Sequence, residues 1–331
     1  MKAIIPVAGV GTKLRPLTYT QPKPLIPVAG KPIISFIIDQ LIGAGVHEFV
    51  FVIGYLGEKI KNYVDAAYPL LPKEYVIQES REGSGHAIWT ARDSFKNESD
   101  LVIFFGDTII DLDINSFVKS DFTCVGVKEV DDPREFGVVE MDEQGFVRRL
   151  VEKPNIPKSN MAMVGFYKIR EVGALIDGLN YNIAHHIRTG EEYPLTDALM
   201  RMVEQGVQIR TMRVDNWFDC GKYDVLLETN ALLLKREGYA TDDLPFYDNS
   251  IIIHPVSIGR NCRIQNSIIG PHVTIGENVQ IDSAIIKDSI IGNYASIKEA
   301  VLRKSIIGND TAITGFRQSL NVGDNTEIDF S

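Results

Sequence analysis

From about residue 258 onward, a branched aliphatic side chain returns at every fifth or sixth position: Ile258, Ile264, Ile269, Ile275, Ile281, Ile286, Ile291, Ile297, Leu302, Ile307 and Ile313. An α-helix repeats near 3.6 residues and a strand at 2, so neither produces that period. A three-sided parallel β-helix does. Each side of a coil contributes one inward aliphatic, and stacked coils bury them as one continuous column. Three copies of one theme mark the register: Asn266-Ser-Ile-Ile-Gly, Asp288-Ser-Ile-Ile-Gly and Lys304-Ser-Ile-Ile-Gly. Gly259, Asn261, Gly270, Gly276, Asn278, Gly292 and Gly308 fall at the expected corners. Residues tolerant of left-handed backbone suit such corners. A β-sandwich would alternate at two instead. The pattern predicts a left-handed β-helix over 251–331, preceded by a linker at 239–250.

The chain before it, 1–238, alternates strand and helix signals. "KAIIPV" reads as a strand ending in a glycine turn, and a helix is expected over 32–44, with Gly45 as its stop. "EFVFVIG" and "EYVIQ" read as strands around a helix at 58–67, with Ile60, Tyr63, Val64 and Ala67 inward. A third helix is expected over 85–95. "LVIFFGD" is apolar on both faces, as a central strand should be. Residues 136–153 read as a hairpin turning at 142–145, and 195–206 as an amphipathic helix with Thr196 as N-cap and Gly206 as stop. This order implies an α/β domain with a doubly wound, Rossmann-like mixed sheet.

Composition narrows the function. The formal charge is −10, which argues against a broad basic face for nucleic acid or membrane. No apolar run is long enough to span a bilayer. Cys124, Cys220 and Cys262 stand far apart, which fits a reducing cytoplasm better than a disulfide framework or a zinc site. A local basic cleft remains compatible with the charge, and residues 6–25, "PVAGVGTKLRPLTYTQPKPL", supply one. Glycines after a first strand aim backbone N–H groups at an anion. Lys13, Arg15, Lys23 and Lys31 follow, and Pro16, Pro22 and Pro24 prevent a continuous helix. A dinucleotide fingerprint would need a third glycine where Leu14 stands, and a Walker loop would need Gly-Lys-Ser/Thr. A structural turn with solvated cations is the plainer alternative.

The motifs "GxGTKLxPLT" and "PKPLIPVAGKPII" resemble the signature of sugar-1-phosphate nucleotidylyltransferases of the long form, which carry a C-terminal β-helix. The similarity continues through "QESREGSGHAI", "FFGD", "FGVV", "EKP", "SNMAMVGFY" and "WFDCG", in family order. It is greatest to glucose-1-phosphate thymidylyltransferases, and the head is also similar to UTP–glucose-1-phosphate uridylyltransferases. The resemblance implies joining of a nucleoside triphosphate (dTTP or UTP) to a sugar 1-phosphate, with release of pyrophosphate. It implies that Ala8, Gly9, Gly11 and Thr12 wrap the triphosphate, with Lys13 and Arg15 on its outer phosphates and Lys23 near the transferred one. Gln78 and Gly83 would meet the base. Gly137, Glu152, Lys153 and Tyr167 would meet the sugar phosphate. Asp107 and Asp219 would hold Mg²⁺, a hard cation suited to carboxylate and phosphate oxygens.

Each role has a plainer alternative: a strand-end turn for Asp107, a surface ion pair for Lys153, strand packing for Tyr167. Family members usually carry arginine where this chain has Lys13, and lysine cannot make arginine's bidentate fork; Arg15 is the expected compensation. Two further readings belong to other classes. His254 and His272 could serve acyl transfer from an acyl-CoA on the β-helix, although solvated corner histidines are the simpler expectation. The chain could also be a regulatory homologue without chemistry. His185 and His186 lie in a polar stretch and read as a solvated loop or helix end. The β-helix is expected to mediate homo-oligomerisation.

Overall fold

In a computed structural model, which describes residues 1–236 and 238–315, the first apolar run becomes the middle of a nine-stranded sheet. Its strands are β1 (Lys2–Val7), β2 (Glu48–Ile53), β3 (Lys73–Ile77), β4 (Leu101–Phe104), β6 (Thr123–Glu129), β7 (Gly137–Met141), β8 (Val147–Glu152), β9 (Met161–Ile169) and β10 (Ile209–Arg213). Between β4 and β6, β5 (Thr108–Asp111) pairs instead with β11 (Asn216–Asp219) as a separate antiparallel ribbon. The sheet runs β8-β7-β9-β4-β1-β2-β3, with β6 pairing β9 and β10. Strands β4, β1, β2 and β3 are parallel, whereas β9 runs antiparallel to β4, so the sheet is mixed. Ala3, Ile4 and Ile5 are all fully buried, which requires cover on both faces of β1.

That cover comes from α1 (Ile33–Gly43), α2 (Gly57–Ala67), α3 (Ser84–Thr90), α4 (Ile114–Val118), α5 (Val172–Ala184) and α6 (Leu195–Glu204). Ile88, Leu175 and Leu199 from α3, α5 and α6 join Ile4 and Val50 in one apolar cluster. Gly45 at φ +82° and Gly206 at φ +91° end their helices in left-handed backbone, as expected. Three local expectations are corrected. The third helix stops at Thr90 and continues only as a 3₁₀ turn, Arg92–Ser94. Ala67, in the last position of α2, is exposed, while Ile60 and Val64 are buried. Pro194, not Thr196, is the N-cap of α6, and the Thr196 hydroxyl donates instead to Glu152 Oε2 at 2.6 Å.

The chain divides into two compact units. One holds Met1–Pro27 and Lys31–Leu226; the other holds Val28–Gly30 and the described residues from Leu227 onward. In the second, short strands stack into three parallel four-stranded sheets, as in a left-handed β-helix. The registers reproduce the sequence period. Ile258, Ile275, Ile291 and Ile307 form one column; Ile264, Ile281, Ile297 and Ile313 a second; Ile269, Ile286 and Leu302 a third. Leu244 and Tyr247, from the segment 239–250, pack against this core. The part of the expected β-helix at 316–331 lies outside the described residues.

The corner expectation holds at Gly270 and at the asparagines but not at every glycine. Asn261, Asn278 and Gly270 have positive φ, but Gly259, Gly276 and Gly292 do not. Those three are glycine because coils touch there: a Cβ on Gly276 would stand 2.3 Å from Asn293 Oδ1 and 2.8 Å from Asn293 N. Gly276→Ala should therefore destabilise the β-helix by about 1–3 kcal/mol through overpacking. Chemical denaturation followed by circular dichroism should show this as a lower midpoint for the β-helix transition.

Among the described residues no helix is long and apolar enough to cross a membrane, and Cys124, Cys220 and Cys262 form no disulfide.

Candidate active site

A cleft of about 570 Å³ opens in the first unit, beside the turns that follow β1, β3 and β4 and beside the end of β11. This is the carboxyl edge of the parallel strands, where open α/β sheets present their loops. Ala8, Gly9, Gly11, Thr12, Lys13, Lys23, Gln78, Gly83, Asp107 and Asp219 all line it. Gly11 is left-handed at φ +67° and starts a 3₁₀ turn, Thr12–Leu14, that carries Lys13. Nothing lies within 4 Å of where a Gly9 Cβ would be, so its backbone faces open space.

Lys23 begins a second 3₁₀ turn, Lys23–Leu25, fixed by Pro22 before it and Pro24 after it. Its side chain is only 10% accessible, yet its ammonium is held by two acids. Nζ lies 2.6 Å from Asp107 Oδ2 and 3.6 Å from Asp219 Oδ1. The ribbon of β5 and β11 brings these acids together. Asp219 pairs with Thr108, the neighbour of Asp107, and the Cys220 N–H donates to the Asp107 carbonyl at 3.2 Å. Gly106 lets the turn pass β1, since a Cβ there would meet Val7 Cγ1 at 2.1 Å.

Burial works against the charge on Lys23, but the charges of Asp107 and Asp219 and the Asp107 hydrogen bond outweigh it, so its pKa stands above the ordinary lysine value. Burial would raise Asp107, but Lys23 overrides it and holds this carboxyl below the usual range. Asp219 goes the other way: burial raises its pKa, and the attraction of Lys23 does not cancel that. Both carboxylates keep about two-fifths of their side-chain surface open to the cleft.

Two carboxylates flanking one cation make an all-oxygen donor set that already accommodates positive charge. That fits a magnesium-type ion, which takes one or two carboxylates and completes its shell with water or phosphate oxygens. Among the described residues no cluster of three or more His, Cys, Asp or Glu side chains forms a cage that would hold a metal without such help.

Gln78 is buried at the end of β3. Its Nε2 donates to the Gly83 carbonyl at 3.3 Å and lies 3.0 Å from His86 Nδ1. With His86 Nδ1 accepting, both amide hydrogens are engaged, and Gln78 presents its carbonyl oxygen. Gly83, at φ +101°, is glycine because a Cβ would strike the Tyr193 carbonyl at 2.8 Å, so its closest neighbour is the protein's own backbone.

The remaining expected residues lie elsewhere. Gly137, Glu152, Lys153 and Tyr167 do not line the cleft. Glu152 accepts from Thr196, and a Cβ on Gly137 would meet Met163 Cε at 2.3 Å and Thr196 Oγ1 at 2.9 Å. Burial raises the Glu152 pKa, and nearby Glu192, which does line the cleft, adds to that rise. Tyr167 is buried and its phenol pushed up by burial, then by the Glu152 charge. Lys153 is half-exposed, 3.8 Å from Glu152. Arg15 does not line the cleft either: its guanidinium lies 5.0 Å from the centre of the Tyr19 ring. It is therefore not placed to compensate for Lys13. Lys31 pairs with Asp39. His272 Nδ1 pairs with Asp288 at 2.9 Å, and His185 stacks on Tyr181. Arg81, Phe105 and Glu192 line the cleft and were not anticipated. Arg81 and Phe105 lie within the motifs "QESREGSGHAI" and "FFGD" without a role of their own there, and Glu192 is brought to the cleft by tertiary pairing of Tyr193 N–H with the Glu82 carbonyl and of Gly85 N–H with the Tyr193 carbonyl.

Comparison with known proteins places the chain among nucleotidyltransferases. The chain is 34% identical over 257 residues to the low-salt glycan biosynthesis nucleotidyltransferase Agl11 of Haloferax volcanii, covering 73% of this chain and 70% of that protein. It is 37% identical over 239 residues to the bifunctional protein GlmU of Methanococcus maripaludis, covering 71% of this chain but only 55% of GlmU. The chain thus spans about half the length of that relative. It is also 31% identical over 253 residues to the UTP–glucose-1-phosphate uridylyltransferase AglF of H. volcanii, covering 73% of this chain and all of that protein. A crystal structure of UDP-glucose pyrophosphorylase complexed with UDP-glucose superposes with a TM-score of 0.62 at 25% identity, over 71% of this chain and 99% of that one. The Nucleotidyl transferase family matches residues 2–236, the stretch that builds the cleft and its paired aspartates, and the chain belongs to that family.

Proposed function

We propose that the chain transfers a nucleotidyl group from a pyrimidine nucleoside triphosphate to a sugar 1-phosphate. The observation that carries this reading is the Lys23 ammonium set between Asp107 and Asp219 on the floor of a glycine-edged cleft. A sugar-phosphate oxygen attacks the α-phosphorus; that P–O bond forms as the bond to the β-phosphate oxygen breaks, and pyrophosphate leaves. Both reactants are anions, so the site's task is to cancel their repulsion and align them. Backbone around Gly9 and Gly11 receives the triphosphate, and Lys13 neutralises its outer part. Lys23 exchanges its acids for phosphate oxygens and holds attacking and attacked groups together. Asp107 and Asp219 would hold Mg²⁺, which when bound supplies a further positive charge to the transferring phosphoryl group. The Gln78 carbonyl suits the N3–H of uracil or thymine. By the family resemblance the sugar phosphate falls to Glu152, Lys153, Gly137 and Tyr167, which stand outside the cleft lining; Glu152 is linked to it by the charge of Glu192, which does line the cleft.

The motifs favour dTTP and glucose 1-phosphate. UTP is the second reading, favoured by the full-length similarity to AglF. Pyrophosphate release, assayed with Mg²⁺, each nucleoside triphosphate and a panel of sugar 1-phosphates, tests the proposal. Product should form with a pyrimidine nucleotide, and absence of release with every pair would reject it. The cytoplasm is the proposed location, in keeping with three cysteines that form no disulfide.

We also assign the β-helix to self-association. Ile251, Ile268, Ile285 and Val301 stand in register along one sheet, and Ile251, Ile285 and Val301 are 59%, 47% and 76% exposed. A second copy of the chain would cover such a stripe. Light scattering at micromolar concentration should give a mass at least twice that of the chain; a monomer would contradict the assignment.

A further inference from the structure

Three loops meet outside the floor of the cleft. Lys13 follows β1, Glu135 lies between β6 and β7, and Lys222 follows β11. One carboxylate oxygen, Glu135 Oε2, sits 3.1 Å from Lys13 Nζ and 3.2 Å from Lys222 Nζ. The loop is anchored next door, where the Phe136 ring packs edge-on against Trp217 of β11 at 4.7 Å. Hydrogen bonds from Lys13 and then Lys222, with their charges, hold the Glu135 carboxyl below its ordinary range. All three side chains are more than half exposed, so neither pair is needed for the fold.

Two ammonium groups that converge on one oxygen form an anion clamp, and here the anion is the protein's own. We propose that Lys13 and Lys222 together bind the β,γ-phosphates of the nucleotide, and that Glu135 is a resident competitor that this polyphosphate displaces. The inference rests on the reading of the cleft as a nucleotide site. Lys13 lines the cleft, and Glu135 and Lys222, which do not, are joined to it at the cleft's edge through the shared carboxylate oxygen. A polyphosphate brings more charge to the same two ammoniums than one carboxylate does, so it wins the exchange. Between turnovers Glu135 keeps two like charges gathered that would otherwise repel, and its return helps pyrophosphate to leave. Lys222, rather than Arg15, thus supplies the second cation that a lone Lys13 lacks.

Calorimetric titration with inorganic tripolyphosphate tests this on the full chain, without requiring turnover. Glu135→Gln removes the competing charge and keeps the shape, and should tighten binding at least about threefold. Lys222→Ala and Lys13→Ala should each weaken it at least about fivefold, with Lys222→Arg retaining most of the affinity. Under turnover, Lys222→Ala should act mainly on the KM for the nucleotide. Unchanged affinity in either Glu135→Gln or Lys222→Ala would overturn the clamp. If wild-type protein releases no pyrophosphate with any nucleotide, the functional reading fails instead, and the tripolyphosphate titration still decides the clamp on its own.

Discussion

Replacing Lys23 with methionine should lower kcat by roughly 10²–10³-fold, the range seen when one preorganised donor to a developing charge is removed. Methionine is unbranched and close to lysine in length, and it removes the charge together with the donor to Asp107. What is lost is the one buried cation that touches both acids and, by the proposed exchange, both phosphates. Lys23→Arg should rescue little. The pocket closes on a single ammonium, with Gly221 so near that a Cβ there would lie 3.2 Å from Nζ, and a planar guanidinium fork does not fit that space. Single-turnover kinetics at saturating substrates give the test. A rate within about threefold of wild type would remove Lys23 from the chemistry.

Asp107→Asn and Asp219→Asn should each reduce activity by about 10²-fold or more and raise the Mg²⁺ concentration needed for half-maximal rate. Asparagine preserves shape but halves the negative charge of the pair. The double variant should lose much less than the product of the single losses, because both carboxylates serve one charge and the second loss finds little left to remove. Effects that multiply instead would mean that the two acids act separately. The measurement is initial rate against Mg²⁺ for all four proteins.

The fold was legible where a local period imposes it. The five-to-six repeat names the inward residues of each β-helix face because every coil restates the same requirement. Corner chemistry was read less well. Asn261 and Asn278 do adopt left-handed backbone, but Gly276 is set by the approach of the next coil, a contact that no single coil encodes. Thr196 shows the same limit. Its sequence context suits a cap, and only tertiary packing turns its hydroxyl toward Glu152.

In the site, the anion-binding loop was legible because glycine, lysine and proline announce their constraints within a few residues. The meeting of Asp107 with Asp219 was not, since it depends on the ribbon of β5 and β11, and the family resemblance supplied it. Nor was the clamp legible. Lys13, Glu135 and Lys222 are scattered along the chain, and each alone looks like a solvated charge. The hydrogen bonding of Gln78 depends on His86, one helical turn beyond Gly83, and it sets what that side chain can offer a base.

The account's central claim is that Lys23, Asp107 and Asp219 exchange their mutual contacts for phosphate and a divalent cation when substrates enter. A crystal structure of the protein with Mg²⁺, a non-hydrolysable nucleoside triphosphate analogue and glucose 1-phosphate tests it most directly. The account predicts a cation bound by both aspartates and Lys23 Nζ on phosphate oxygens. A nucleotide bound outside the glycine loop, with Lys23 still paired to Asp107 and no cation between the acids, would contradict it.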